Sequence, residues 1–149
     1  MLFRSQEVIK YMSTRSLIGI FNEDESVTYI YCHWNGYPSH NGKLLLNHYM
    51  NVDVVNKLME LGDLSYLAEN LNCDSGKHSF KTPVEGVCVA YGRDRGESGT
   101  KCKKVNNYKE YLTAYNHIDY FYLFNPTSNK WNINNKNGRF SELTLEMCK

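Results

Sequence analysis

Two runs of β-branched and aromatic residues, separated by a short acidic turn, constrain the fold of this chain more than any other feature. The runs are "SLIGIF" and "VTYIYCHW", and the turn between them, residues 22–26, is polar. Such side chains favour extended backbone, and a polar turn between two such runs predicts a β-hairpin. We therefore expect a sheet that begins with this hairpin.

Alternation along the second strand divides its side chains between two faces, because successive residues of a strand point in opposite directions. One face carries Val27, Tyr29, Tyr31 and His33, and the other carries Ile30, Cys32 and Trp34. The second set has the apolar character of a core. The first set forms an aromatic stripe with hydroxyl groups and a terminal histidine, and we expect it to border a half-open cleft.

The remaining segments predict several further elements. The stretches "KLLLNHYM" and "VDVVNKLMEL" predict helices, the second ending at Gly62, and Asp63 is a candidate N-cap for a third helix, "LSYLAENL". Residues 87–91 predict a short strand, and "YKEYLTAYNH" predicts a helix. The stretch "IDYFYLFNPTSNKWNINN" predicts a second hairpin, and "SELTLEMCK" predicts a terminal helix or a frayed tail.

This order of elements is typical of an α+β protein, since regular β-α alternation is absent. We predict a single domain, residues 12–149, with an antiparallel sheet built from hairpins and helices packed on one face. Residues 1–11 are interpreted as an N-terminal extension, and both Met1 and Met12 are candidate first residues.

Charge and cysteine content limit the function classes. The chain has 149 residues and a formal net charge of +1, which argues against strong nonspecific binding to nucleic acid. Its five cysteines form an odd set without close pairing, and no secretory segment opens the chain, so we expect free thiols in a reducing cytoplasm. No apolar run approaches the about 20 residues that span a membrane.

Metal and phosphate-loop motifs are incomplete. Cys32 and His33 are adjacent in a strand and cannot share one ion, and no C-x-x-C or H-E-x-x-H occurs, so we predict neither a metal nor a cofactor. The stretch "GRDRGESGTK" is glycine-rich and basic, but its lysine follows the threonine, which is the wrong order for a P-loop. A looser anion site with Arg93 and Arg95 and a solvated turn both remain open.

Two kinds of site are consistent with the remaining residues. If the protein is an enzyme, the catalytic candidates are His33 as general acid or base, with Asp94 or Glu97 as carboxylate. If it is a binding protein, aromatic side chains stack on a base and arginines contact phosphate. The candidate ligand-binding residues are Arg15, Tyr29, Tyr31, His33, Trp34, Asn35, Tyr37, Arg93 and Arg95.

The chain resembles a family of small accessory proteins of tailed bacteriophages and prophages. The resemblance covers residues 14 to about 131 and rests on "TRSLIGIFNEDESVTYIYCHWNGYPSHNGKLLLNHY", "LGDLSYL", "EGVCVAYGRDRGE" and "YFYLF". The most specific signatures are Y-C-H-W-[DN]-G-Y-P and A-Y-x-R-D-R-G-E. The resemblance implies a protein made in the host bacterial cytoplasm during infection, where such proteins often blunt host immunity.

Three functional hypotheses follow. The first is antagonism of a host defence by binding a nucleotide-type signalling molecule. The second is inhibition of a host defence protein through a tyrosine-rich surface, since Tyr, Trp and Arg are enriched at interaction hot spots. The third is a small enzyme acting on a nucleotide or phosphoester.

Overall fold

The computed structural model describes residues 13–134 and 139–149, so the N-terminal extension expected at residues 1–11 lies outside the described residues. The strands are β1 Ser16–Phe21, β2 Val27–Cys32, β3 Leu64–Tyr66, β4 Val89–Ala90, β5 Lys103–Val105, β6 Tyr120–Asn125, β7 Lys130–Asn134 and β8 Ser141–Glu142. The α-helices are α1 Lys43–His48, α2 Val52–Leu61, α3 Tyr91–Arg95 and α4 Tyr108–Leu112. A π-helical turn, Pro38–Gly42, precedes α1, and a 3-10 turn, Glu146–Cys148, ends the chain.

The sheet has the strand order β4-β3-β2-β1-β6-β7-β8, and β5 also pairs with β2. Both predicted hairpins are present as antiparallel pairs, β1–β2 and β6–β7. The hairpins join side by side through β1 and β6, which run parallel, and β2 and β3 are also parallel. The α+β class is therefore confirmed, and within it the sheet is mixed rather than wholly antiparallel.

Both faces of the sheet are apolar, so each face is covered. On one face α1 and α2 pack over the side of the first hairpin that carries Ile18 and Ile30, and Trp131 is fully buried in the same core. On the other face Tyr111 of α4 packs over Tyr29. The prediction that helices lie on one face alone is wrong, because the tyrosine side of β2 is itself too apolar to remain uncovered.

Capping residues determine where α2 begins and ends. Helix α2 begins after Asn51, whose side chain accepts a hydrogen bond from the N–H of Val54 at 2.9 Å. It ends at Gly62, whose φ of +85° is strained for other residues. The third helix predicted after Asp63 is wrong. Its first three residues form β3 instead, because Leu64 pairs with Cys32 at the end of β2 and so joins the sheet.

Other segments differ in detail from their sequence patterns. The strand expected at residues 87–91 is shorter, and Tyr91 opens α3 within the charged segment that was expected to be a turn. The end of the chain adds β8 beside β7 rather than a regular α-helix. In the described part of the chain, no helix is long and apolar enough to cross a membrane.

Candidate functional site

One edge of the sheet brings together several polar and aromatic residues with potential function. Ser16 pairs with Cys32 in the antiparallel pair and with Tyr120 in the parallel pair, so β1 and β6 begin where β2 ends. The residues just outside these strands are therefore neighbours: Arg15 before β1 and His33 after β2. The loop of residues 113–119, before β6, reaches the same edge. We call this region the Arg15 edge.

The predicted facing of β2 is confirmed, but the expected half-open cleft along it is not. Tyr29 and Tyr31 are only 6% and 9% exposed and belong to the second core. Tyr115 covers the ring of Tyr31, on which it stacks with ring centroids 4.7 Å apart and an interplanar angle of 15°. Tyr115 itself remains 43% exposed. The stacking face offered to solvent therefore belongs to Tyr115 rather than to the strand.

His33 is half-buried beside this stack. Its Nδ1 atom lies 2.7 Å from the hydroxyl oxygen of Tyr31, and Trp34 meets its ring edge-on at 4.6 Å between centroids. Burial, with a smaller effect from the Arg15 cation, lowers the pKa of His33 below its usual value. This shift favours the neutral imidazole, which serves as a hydrogen-bonding group.

Arg15 lines a groove at this edge. The groove has a volume of about 690 Å³ and is lined by Ser13, Arg15, Leu112, Thr113, Tyr115, Asn116, His117, Ile118, Asp119 and Phe121. Two hydrogen bonds hold its two sides together: the N–H of Arg15 donates to the Asp119 side-chain atom Oδ2 at 3.1 Å, and the N–H of Asp119 donates to the Arg15 carbonyl at 3.0 Å. Among the described residues, no carboxylate forms an ion pair with the Arg15 guanidinium.

The loop after His33 serves mainly to hold its own shape. Asn35 has a φ of +57° and accepts a hydrogen bond from the Tyr37 hydroxyl at 3.3 Å. Gly36 approaches β1 so closely that an added Cβ would lie 2.9 Å from the Thr14 carbonyl oxygen. Trp34 is half-buried, which differs from the core position expected for it, because β2 ends at Cys32 and the alternation ends with it.

Arg93 is fully engaged inside the protein. Its Nη1 donates to the Leu71 carbonyl and Asn72 Oδ1, its Nη2 donates to the Cys88 carbonyl and Asp94 Oδ2, and its Nε donates to Asp94 Oδ1. A guanidinium carries five N–H donors. All five have partners, so Arg93 has none left for a phosphate.

Asp94 and His78 complete the same network. The Asp94 carboxylate also accepts from the N–H of Ala90 at 2.8 Å and lies 3.2 Å from His78 Nε2. Burial opposes ionisation of Asp94, but the bonds from Arg93 and Ala90 outweigh it and lower its pKa. His78 Nδ1 accepts from the N–H of Val84, so Nε2 carries the proton. Both ring nitrogens are occupied, and the pair fastens the loop of residues 71–86.

Arg95 and Glu97 form an exposed ion pair with each other. The Arg95 guanidinium also lies against two aromatic rings, 4.6 Å from the centroid of Phe80 and 4.9 Å from that of Tyr91. Among the described contacts of His33, none is with Asp94 or Glu97, so neither carboxylate orients its imidazole. A ligand-binding role for Arg95 stays a prediction.

The A-Y-x-R-D-R-G-E signature approaches the Arg15 edge through its tyrosine, Tyr91, rather than through its arginines. The N–H of Trp34 donates to the Ser65 carbonyl of β3, while burial raises the pKa of the Tyr91 phenol and the Ser65 side chain opposes that rise. The phenols of Tyr91 and Tyr115 both influence the pKa of Tyr31, which burial raises. Sequence reasoning missed Tyr91 and Tyr115. The position of Tyr91 directly before "GRDRGE" was the available signal for it.

Within residues 13–134 and 139–149, no group of three or more His, Cys, Asp or Glu side chains is arranged to hold a metal ion. The comparisons add no relative: no protein-family model matches the chain, and no curated protein or solved structure matches it.

Proposed function

We propose that the protein is a bacteriophage accessory protein that antagonises a host defence by binding a nucleotide-type ligand in the groove of the Arg15 edge. The observation that carries the proposal is the combination of an exposed stacking ring, Tyr115, with an arginine that has no carboxylate partner among the described residues. An aromatic ring and a guanidinium are the groups that recognise a base and a phosphate. The resemblance to phage accessory proteins supports the biological setting.

The groove favours a ligand of this size and polarity. Its volume of about 690 Å³ falls in the range of roughly 300–1,000 Å³ that is usual for small-molecule sites. Leu112, Ile118 and Phe121 give it an apolar floor, and the exposed Asn116 and His117 side chains add hydrogen-bonding groups at its rim. This mixture suits a ring with a charged substituent better than a purely apolar compound.

Binding is favoured over catalysis because His33 lacks the partners of a general base. A working base is usually oriented by a carboxylate or another fixed acceptor. Here the Nδ1 atom contacts the Tyr31 hydroxyl, whose pKa is raised by burial, so the phenol stays neutral. The carboxylate of Asp94, expected as the partner, is bound to Arg93 and His78.

The test is a titration of the purified protein with mono-, di- and cyclic nucleotides, followed by thermal unfolding and by chromatography for products. A nucleotide at 100 times its Kd stabilises the folded state by about 2.7 kcal/mol. We expect at least one nucleotide to give this response without turnover. Arg15→Gln and Tyr115→Ala should each weaken it at least tenfold, whereas Tyr115→Phe retains the stacking ring and should bind nearly normally.

Lys109→Gln is the control, since Lys109 is an exposed cation on α4 outside the groove. The proposal fails if no nucleotide binds, if the Arg15 and Tyr115 variants bind as tightly as the wild type, or if product accumulates. In an infection assay, a phage carrying Arg15→Gln should lose plating efficiency on the same hosts as a phage that lacks the protein.

A further inference from the structure

A second concavity lies at the other end of α4, on the same face of the sheet. It has a volume of about 500 Å³ and is lined by Phe21, Tyr108, Leu123, Asn125, Asn132, Arg139 and Phe140. The groove of the Arg15 edge meets α4 at Leu112, whereas this concavity meets it at Tyr108. The fully buried Tyr111 lies between the two, packed against Phe121 and Phe140. We call this concavity the Tyr108 pocket.

The floor of the Tyr108 pocket comes from the sheet. Leu123 and Asn132 are directly paired in the β6–β7 hairpin, and Phe21 and Asn125 end the neighbouring strands β1 and β6. Cross-strand pairs share a face of the sheet, so an apolar side chain and an amide stand side by side here. The pocket thus combines a flat apolar surface with hydrogen-bonding groups.

The walls of the Tyr108 pocket are aromatic rings. Tyr108 opens α4 because the Asn107 side chain caps the helix by accepting from the N–H of Glu110 at 2.9 Å. The ring of Tyr108 meets Phe140 edge-on, with centroids 6.3 Å apart, yet Tyr108 remains 43% exposed. The exposed part of this ring is available for contact with a ligand.

Two amides supply the polar groups. In the described part of the chain, the Asn132 side chain has no hydrogen-bond partner, and it is half-buried. The Oδ1 atom of Asn125, which also lines the pocket, accepts from the N–H of Thr127 at 2.9 Å, and this bond leaves the Nδ2 atom available as a donor. Together they offer donors and an acceptor beside the aromatic and aliphatic side chains and Arg139 of the lining, and a few such polar groups give small-molecule sites their specificity.

From this arrangement we propose that the Tyr108 pocket binds an uncharged planar heteroaromatic ring with an amide-like edge, of the nucleobase type. The ring lies against Tyr108 and Phe21, and its edge hydrogen-bonds the Asn132 amide. Stacking on an aromatic side chain is a common way in which proteins bind a base, because every base has a flat aromatic face. This site is separate from the groove of the Arg15 edge, and its ligand needs no phosphate.

The experiment uses the four nucleosides adenosine, guanosine, cytidine and uridine, which carry no phosphate, with amide and side-chain NMR of the full chain. We expect saturable shifts of the Asn125 and Asn132 side-chain amides with at least one nucleoside. Tyr108→Ala and Asn132→Leu should each weaken binding at least tenfold. Tyr108→Phe keeps the ring and should bind nearly normally, which covers the case in which Tyr108→Ala unfolds.

Met147→Ala is the control, because Met147 has a similar exposure of 46% but lines neither concavity. The proposal is overturned if no nucleoside gives saturable shifts, if the shifts are confined to the Arg15 edge, or if Asn132→Leu binds as the wild type does. Since Arg15→Gln leaves this pocket intact, loss of nucleotide-induced shifts at the Arg15 edge in that variant, with nucleoside-induced shifts retained at Asn125 and Asn132, separates the two proposals.

Discussion

Replacement of Arg93 by alanine should destabilise the protein far more than the same change two residues later. Arg93 makes five hydrogen bonds, two of them to the Asp94 carboxylate, whose side chain is only 5% exposed. Bonds to charged groups contribute roughly 1.5–3 kcal/mol each, but Arg93 is 31% exposed and water replaces part of them. We therefore expect a loss of about 2–4 kcal/mol in the free energy of unfolding.

Arg95→Ala is the matched control on the same helix. Its ion pair with Glu97 joins side chains that are 49% and 43% exposed, and exposed pairs contribute at most about 1 kcal/mol. Urea denaturation followed by circular dichroism measures both variants, provided that the m-values agree. If the free energy of unfolding of Arg93→Ala lies within about 0.5 kcal/mol of the wild-type value, or above that of Arg95→Ala, the five contacts of Arg93 do not stabilise the fold as argued. Arg93 would then return to the candidates for ligand binding.

Three further outcomes follow from single contacts. Asp63 Oδ1 accepts a hydrogen bond from the N–H of Tyr31 at 2.9 Å, and an asparagine keeps an oxygen acceptor there. Asp63→Asn should therefore cost less than Asp63→Leu, which should lose about 1–3 kcal/mol in urea unfolding; equal losses would contradict this. Gly36→Ala should cost about 1–3 kcal/mol by overpacking against the backbone, and a melt identical to that of the wild type would mean that the loop adapts. Burial and the Arg15 cation lower the pKa of His33 in the folded protein, so as the pH falls the unfolded chain takes up this proton first and the free energy of unfolding should begin to decrease at about pH 6.5. NMR titration should find the pKa of folded His33 below that value and higher in Arg15→Gln. A wild-type pKa at or above 6.5 would exclude this explanation.

The sequence predicted the elements that carry their own pattern. Alternation in "VTYIYC" gave the correct faces of β2, and Gly62 ended α2 where expected. The pairing of strands that are distant in sequence could not be predicted from such local patterns. Leu64 and Tyr66 lie in a stretch of good helix formers, but a strand end beside them decided their conformation. The parallel pairing of β1 with β6 joins residues about 100 positions apart, and no local periodicity encodes it.

The candidate site was predicted in part for the same reason. Arg15 and His33 were among the expected residues, since each adjoins a strongly patterned strand. Tyr115 was not, because an isolated aromatic in a polar loop carries no periodic signal. Its importance depends on the parallel β1–β6 pair, which brings the loop before β6 to the start of β1. A site assembled from strand ends is therefore harder to infer than the strands themselves.

Arg93 and Asp94 of the "GRDRGE" segment illustrate why a specific motif does not by itself locate a ligand-binding site. Arg93 and Asp94 are held by contacts with Cys88 and His78, and such a clamp constrains residue types as tightly as a binding site does. The number of N–H donors that already have acceptors distinguishes a structural arginine from a ligand-binding one. A guanidinium with five internal partners cannot bind a phosphate without breaking hydrogen bonds that stabilise the fold. By that criterion, Arg15 is the better candidate for anion binding, although its own sequence surroundings, "STRS", are unremarkable.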